Sequence, residues 1–245
     1  MSQQSLQKQN QLSEEFSQDE FRIRLFSMIT HDMRNLFASV VGYVRLNKKN
    51  PGMNKADGDL LLDELENVGD RANHLFDILF FATRFLNQND SVRIEKVSPR
   101  ESFLYAADSM QNDFDRKKVC VEIEIDSALQ LNTDTNVFSF VCRQLLHNAC
   151  KYSRSGNIIQ VHYKPKKSTH IFSVRDEGIG IPAEMEPILF TGSKKIIRYG
   201  TDDEKGNGFG LALSIHFLKL CNASLTFIPG LKKGSCFEIQ IPIKE

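Results

Sequence analysis

The chain has 245 residues, 41% hydrophobic and 25% charged, which is the make-up of a folded globular protein with room for one or two domains. Lys and Arg number 31 against 31 Asp and Glu, so net basicity gives no case for nucleic acid as a partner. Five cysteines (Cys120, Cys142, Cys150, Cys221, Cys236) without a CxxC pair read as reduced thiols with no zinc site, and the polar start and lack of a bilayer-length apolar run predict a cytoplasmic protein with no membrane segment.

Residues 1–20, rich in Gln, Ser and Glu, read as a flexible or coiled-coil lead-in. A long helix is expected over 21–48. Phe21, Leu25, Ile29, Met33, Leu36, Val40 and Val44 recur every three or four residues and predict one buried stripe. His31 stands two residues past Ile29, and at about 100° per residue it turns away from that stripe toward solvent. Asp32 lies beside it and Asn35 one turn further on, so a carboxylate is close enough to take the imidazole proton. Turn-forming residues fill 47–58. A second helix is expected over 59–87, where Leu61, Leu65, Val68, Ala72, Leu75, Leu79, Ala82 and Phe85 or Leu86 form a heptad seam. Such a hairpin has more apolar surface than it can bury alone, which predicts a homodimeric four-helix bundle.

Polar residues 88–97 mark a boundary, giving a lead-in at 1–20, a helical domain at 21–90 and a second domain at 91–245. Ser98, Pro99 and Glu101 form a capping box that starts a helix running to about 117. Alternating Val119, Val121, Ile123 and Ile125 predict a half-buried strand, and 134–152 reads as a helix with Val137, Val141, Leu145 and Ala149 inward. Strands are expected at 157–164, 169–175, 223–228 and 235–242, an irregular stretch at 190–207, and a helix at 209–220. Antiparallel-looking strands mixed with a few helices predict an α+β sandwich.

Three clusters in this domain suit nucleotide chemistry. Gln144, Asn148, Lys151 and Tyr152 share one helix face, where amide oxygens suit magnesium and a lysine suits phosphate. Asp176 precedes Gly178 and Gly180, and a buried carboxylate there favours the exocyclic amine of adenine. Gly206, Gly208 and Gly210 precede Leu211 in a loop that opens a helix, where backbone N–H groups can hold phosphates.

In this order the clusters resemble the motifs of the sensor histidine kinase family. His31-Asp32-Met33-Arg34-Asn35 is similar to its phosphoacceptor box, and the run 144–153 to its N box. Asp176-Glu177-Gly178-Ile179-Gly180-Ile181-Pro182 is similar to its first glycine box, and 200–211 to the end of its ATP lid with the second glycine box. The resemblance covers 21–245 and implies a multidomain α and α+β fold: a dimeric helical bundle carrying the histidine, then a Bergerat-type ATP-binding sandwich. It implies ATP and Mg2+ as cofactors. His31 is then the phosphoacceptor, Asp32 the general base and Asn35 the amide that positions water for dephosphorylation. Asn148 and Gln144 would hold the metal, Lys151 and Tyr152 lie by the phosphates, and Asp176 reads adenine. The partner it implies is a response-regulator receiver domain, and the chain could be the cytoplasmic part of a larger or membrane-associated sensor. Three departures stand out: Leu36 where the family has proline, Gln144 for the first N-box asparagine, and Thr191-Gly192-Ser193 after Phe190 in place of a second phenylalanine. They motivate an alternative, a catalytically degenerate dimeric interaction module. A serine kinase or other ATPase on the same ATP fold is a third possibility, opposed by the His31 hairpin.

Overall fold

The computed structural model describes residues 3–50, 52, 54–86, 92–191, 198–202, 204, 208–231 and 233–243, with side chains from residue 23 onward except those of 85 and 86. It divides into two compact units, Met1–Leu86 and Asn87–Glu245.

The first unit is a helical hairpin of α1 (Gln3–Lys49) and α2 (Lys55–Leu86). α1 runs unbroken past Leu36 and begins well before the expected position 21. The turn ends at Asn54, whose Oδ1 accepts the Asp57 N–H at 2.9 Å while its Nδ2 donates to the Asp57 carboxylate, capping α2 at its start. Of the expected α2 seam, Val68, Leu75 and Ala82 are buried and Ala72 and Leu79 half-buried, with Phe85 and Leu86 outside the described side chains; Ile78 and Phe81, which the heptad reading did not include, are buried as well. The α1 stripe is buried only in part. Leu25 and Ile29 are covered, Met33 and Leu36 are half-covered, and Val40 and Val44 lie open. The early α2 residues Leu61 and Leu65 are themselves only half-buried, so one hairpin leaves apolar surface uncovered toward its turn end.

In the second unit a five-stranded sheet has the order β2-β4-β5-β7-β6, formed by β2 (Cys120–Glu124), β4 (Ile158–Lys166), β5 (Thr169–Arg175), β6 (Ser224–Phe227) and β7 (Cys236–Pro242). Helices α3 (Pro99–Asp108), α4 (Gln111–Lys117), α5 (Thr135–Tyr152) and α6 (Gly210–Leu220) complete it, with a small antiparallel pair, β1 (Glu95–Val97) and β3 (Leu131–Thr133), that the sequence reading missed. Alternation along β4 and β5 puts Ile159, Val161, Phe172 and Val174 in the core, where Phe172 meets Phe103 of α3 and Phe138 of α5. Gln160 and His162 hold the other face.

Two expectations need correction. β2 pairs with β4 in parallel, because β3 and α5 lie between them and form the crossover that a parallel pair requires. The expected helix to 117 is two helices: the Ser109 hydroxyl donates to the Ala106 carbonyl, and Met110 leaves helical geometry at φ −123° so that its side chain is buried. Among the described residues no helix is long and apolar enough to cross a membrane.

Candidate functional site

In the hairpin unit, the pattern that buries Leu25 and Ile29 turns His31 outward, and its side chain is 56% exposed. Its Nδ1 lies 3.0 Å from Asp32 Oδ1 and 3.2 Å from Asn35 Nδ2. One ring nitrogen cannot donate to the carboxylate and accept from the amide at once, so the tautomer chooses the partner. With Nδ1–H donated to Asp32, Nε2 carries a free lone pair. The structure thus brings together all three residues singled out on this helix.

In the second unit β5 ends at Arg175 and delivers Asp176 into a buried corner. Its Oδ1 accepts the N–H groups of Gly178 at 2.8 Å and Ser235 at 3.2 Å, and its Oδ2 accepts the Ser235 hydroxyl. Burial raises the Asp176 pKa, and these three hydrogen bonds oppose the rise. The glycines serve close backbone approach. A Cβ on Gly178 would stand 2.2 Å from the Tyr152 carbonyl oxygen, and one on Gly234 would stand 1.8 Å from the Asp176 carbonyl oxygen. Gly180 and Gly234 both take positive φ, at +67° and +74°. Ser235 and Gly234 escaped the sequence reading. They lie beyond a short lysine-containing turn, and nothing local ties them to an aspartate 59 residues earlier.

Helix α5 starts at Asp134, whose Oδ1 accepts the Val137 N–H at 3.0 Å, and its last turn reaches this corner: the Tyr152 carbonyl accepts the Ile179 N–H at 3.1 Å. Lys151 is buried, with Nζ 5.1 Å from the Tyr152 ring centroid. Burial lowers its pKa to about 8, the nearby Glu204 opposing and Lys117 assisting. His147 is held down to about 3, first by burial and then by Lys151, Arg143 and Lys117, so it stays neutral at physiological pH. Gly208 takes φ +77°, Gly210 begins α6, and Leu211 is half-buried behind it. Gly206 lies outside the described residues.

The donor set suits magnesium at one of its two expected residues. Asn148 is half-buried on α5, and its amide oxygen is of the kind a hard cation takes. Gln144 is buried at 2% exposure. Its Oε1 is pressed so close to Gly210 that a Cβ there would sit 2.2 Å away, and its Nε2 has no partner among the described residues. Its amide lies in the α5–α6 packing. Magnesium ordinarily completes its shell from phosphate and water, so one amide ligand suffices.

Residues 133–245 match the family of histidine kinase-, DNA gyrase B-, and HSP90-like ATPases. Sensor protein KdpD of Clostridium acetobutylicum is 24% identical over 234 residues, covering 93% of this chain and 25% of that protein. Adaptive-response sensory kinase SasA of Thermosynechococcus vestitus is 23% identical over 248 residues, 97% of this chain and 63% of that protein. This chain therefore spans less than two thirds of either relative. The solved structure of Acinetobacter baumannii histidine kinase AdeS shares the fold, with TM-score 0.59 and 18% identity, over 88% of this chain and 98% of that one. Residues 133–245 thus resemble ATPases of the histidine kinase, DNA gyrase B and HSP90 kind, in a chain similar to sensor histidine kinases along most of its length.

Proposed function

We propose that the chain is the catalytic core of an ATP-dependent protein histidine kinase that phosphorylates His31 and passes the phosphoryl group to an aspartate of a response-regulator receiver domain. The observation that carries this is the pairing of His31 Nδ1 with Asp32 at 3.0 Å on an open helix face, in a chain that also holds an ATPase domain. The Nε2 lone pair attacks the γ-phosphorus of ATP, a P–N bond forms, the bond to the β–γ bridging oxygen breaks, and ADP leaves. The ring that gains the phosphoryl group becomes cationic, and Asp32 takes the Nδ1 proton, leaving a neutral ring that bears the anionic phosphoryl group. Asp176 receives the adenine amine, while Lys151 and Tyr152 border the phosphates. Asn148 would hold magnesium, which would supply charge neutralisation on the phosphates. Asn35, one turn past His31, orients water toward the acyl phosphate of a docked regulator.

A homodimer completes the site. Ile23, Phe26, Phe37, Val41, Phe76 and Phe80 lie exposed on the single hairpin, and a second copy would cover such a surface. The direct test is incubation with γ-labelled ATP. Protein-bound label that survives alkali, is released by acid and is absent from His31→Gln supports the reading. Acid-stable label, or label retained in His31→Gln, overturns it.

A further inference from the structure

Lys117 is 3% exposed, an unusual place for an ammonium group. It closes α4, and its Nζ reaches across to the end of α5. It donates to the carbonyls of Lys151 at 2.8 Å and Cys150 at 3.2 Å and to the Thr201 hydroxyl oxygen at 2.9 Å, and it meets Glu204 Oε1 at 2.6 Å. Three protons therefore serve oxygens from two separate parts of the chain, and the cation sits where the helix dipole is negative. Glu204 answers in kind. Burial pushes its carboxyl up, but Lys117 and the Asp202 N–H hold it below the usual range.

Thr201 is bound to the end of α5 as well: its N–H donates to the Lys151 carbonyl at 3.1 Å and its hydroxyl to the carbonyl of the cap residue Ser153, while the Gly200 N–H ties Gly200 to Glu204 by donating to its carbonyl at 2.8 Å. Gly200 lies so close that a Cβ would fall 2.7 Å from the Lys151 carbonyl oxygen. Just upstream, Arg198 donates to the Gly180 carbonyl at 3.0 Å. The same few residues are therefore fastened to the glycine loop after Asp176 and to the helix turn bearing Lys151 and Tyr152.

We propose that Lys117 is a positioning residue for the phosphate end of the nucleotide: it clamps Thr201 and Glu204 to the last turn of α5 and so fixes Lys151 and Tyr152 where the phosphates lie. The role rests on the nucleotide reading above.

The test is calorimetric titration of the full chain with ATP and, separately, adenosine, using Lys117→Met, Glu204→Gln and the double variant. Loss of a buried charge-assisted contact predicts about tenfold weaker ATP binding in each single variant. Adenosine, lacking phosphates, should change by less than about twofold, and the double variant should be no worse than about twofold beyond the weaker single one. Should Lys117→Met not fold, Glu204→Gln and Thr201→Val carry the same comparison. Equal losses for both ligands, or unchanged ATP binding, overturn the inference alone. A wild-type protein that binds neither ligand overturns the nucleotide reading, and this inference with it.

Discussion

Asp176→Asn separates what Asp176 does for the fold from what it does for a nucleotide. In the wild type, Oδ1 holds two N–H groups and Oδ2 holds the Ser235 hydroxyl. An asparagine keeps an oxygen for the N–H pair, and its NH2 can face Ser235 once that hydroxyl turns to act as acceptor. The substitution also removes a buried charge whose desolvation raises the Asp176 pKa. Stability should therefore change by less than about 1 kcal/mol. Binding should suffer, because an adenine amine now meets a second donor. Losing a charge-assisted hydrogen bond costs about 1.5–3 kcal/mol, roughly 10- to 150-fold in affinity, before any donor–donor repulsion. Thermal melts paired with ATP titration check both halves. An asparagine variant that melts like the wild type and binds ATP within about twofold would remove Asp176 from adenine recognition. One that unfolds would show that the corner needs the charge itself.

Three further outcomes are expected. Lys151 titrates near 8 in the free protein, and bound phosphate favours its charged form. ATP affinity should accordingly be full below about pH 8 and fall by up to tenfold per unit above it, while Lys151→Met flattens the profile; a wild-type profile as flat as the variant's removes Lys151 from the phosphates. Gly234→Ala drives a Cβ onto the Asp176 carbonyl and should lower Tm sharply, whereas Gly156→Ala, also at positive φ but with open space around it, should lose only about 1–2 kcal/mol; equal Tm losses would refute the steric argument. Asp32→Asn should slow autophosphorylation by roughly 10²–10⁴-fold, while Asn35→Ala should spare it and slow decay of label on the regulator; the reverse pattern in the two assays inverts the roles on this helix face.

What the sequence disclosed follows from how far each signal reaches along the chain. The His31 face was legible because helix period alone sets it, and the start of α5 because Asp134 caps a helix three residues away. The seam of α2 was legible for the same reason. Ser235 was not, since its meaning depends on β5 and β7 lying side by side. The parallel β2–β4 pair was hidden likewise, because alternation in a strand fixes its faces and leaves its neighbours unspecified. Val40 and Val44 continue a perfect period yet lie exposed, as periodicity names the apolar face without supplying what covers it. Lys117 carried no local mark at all. A lysine near a helix end ordinarily reaches solvent, and this one is held by Thr201, 84 residues away, and by Glu204 beyond it.

The late partners of Asp176 also set an order on refolding. The β4–β5 hairpin closes over a short turn, so it can form early, whereas β7 must travel back across the intervening chain to lie along β5. Until it docks, Asp176 lacks the two bonds from Ser235, and the corner proposed to take adenine is incomplete. On that proposal nucleotide binds only after the non-local pairing closes, so it should leave the refolding rate unchanged and slow unfolding instead.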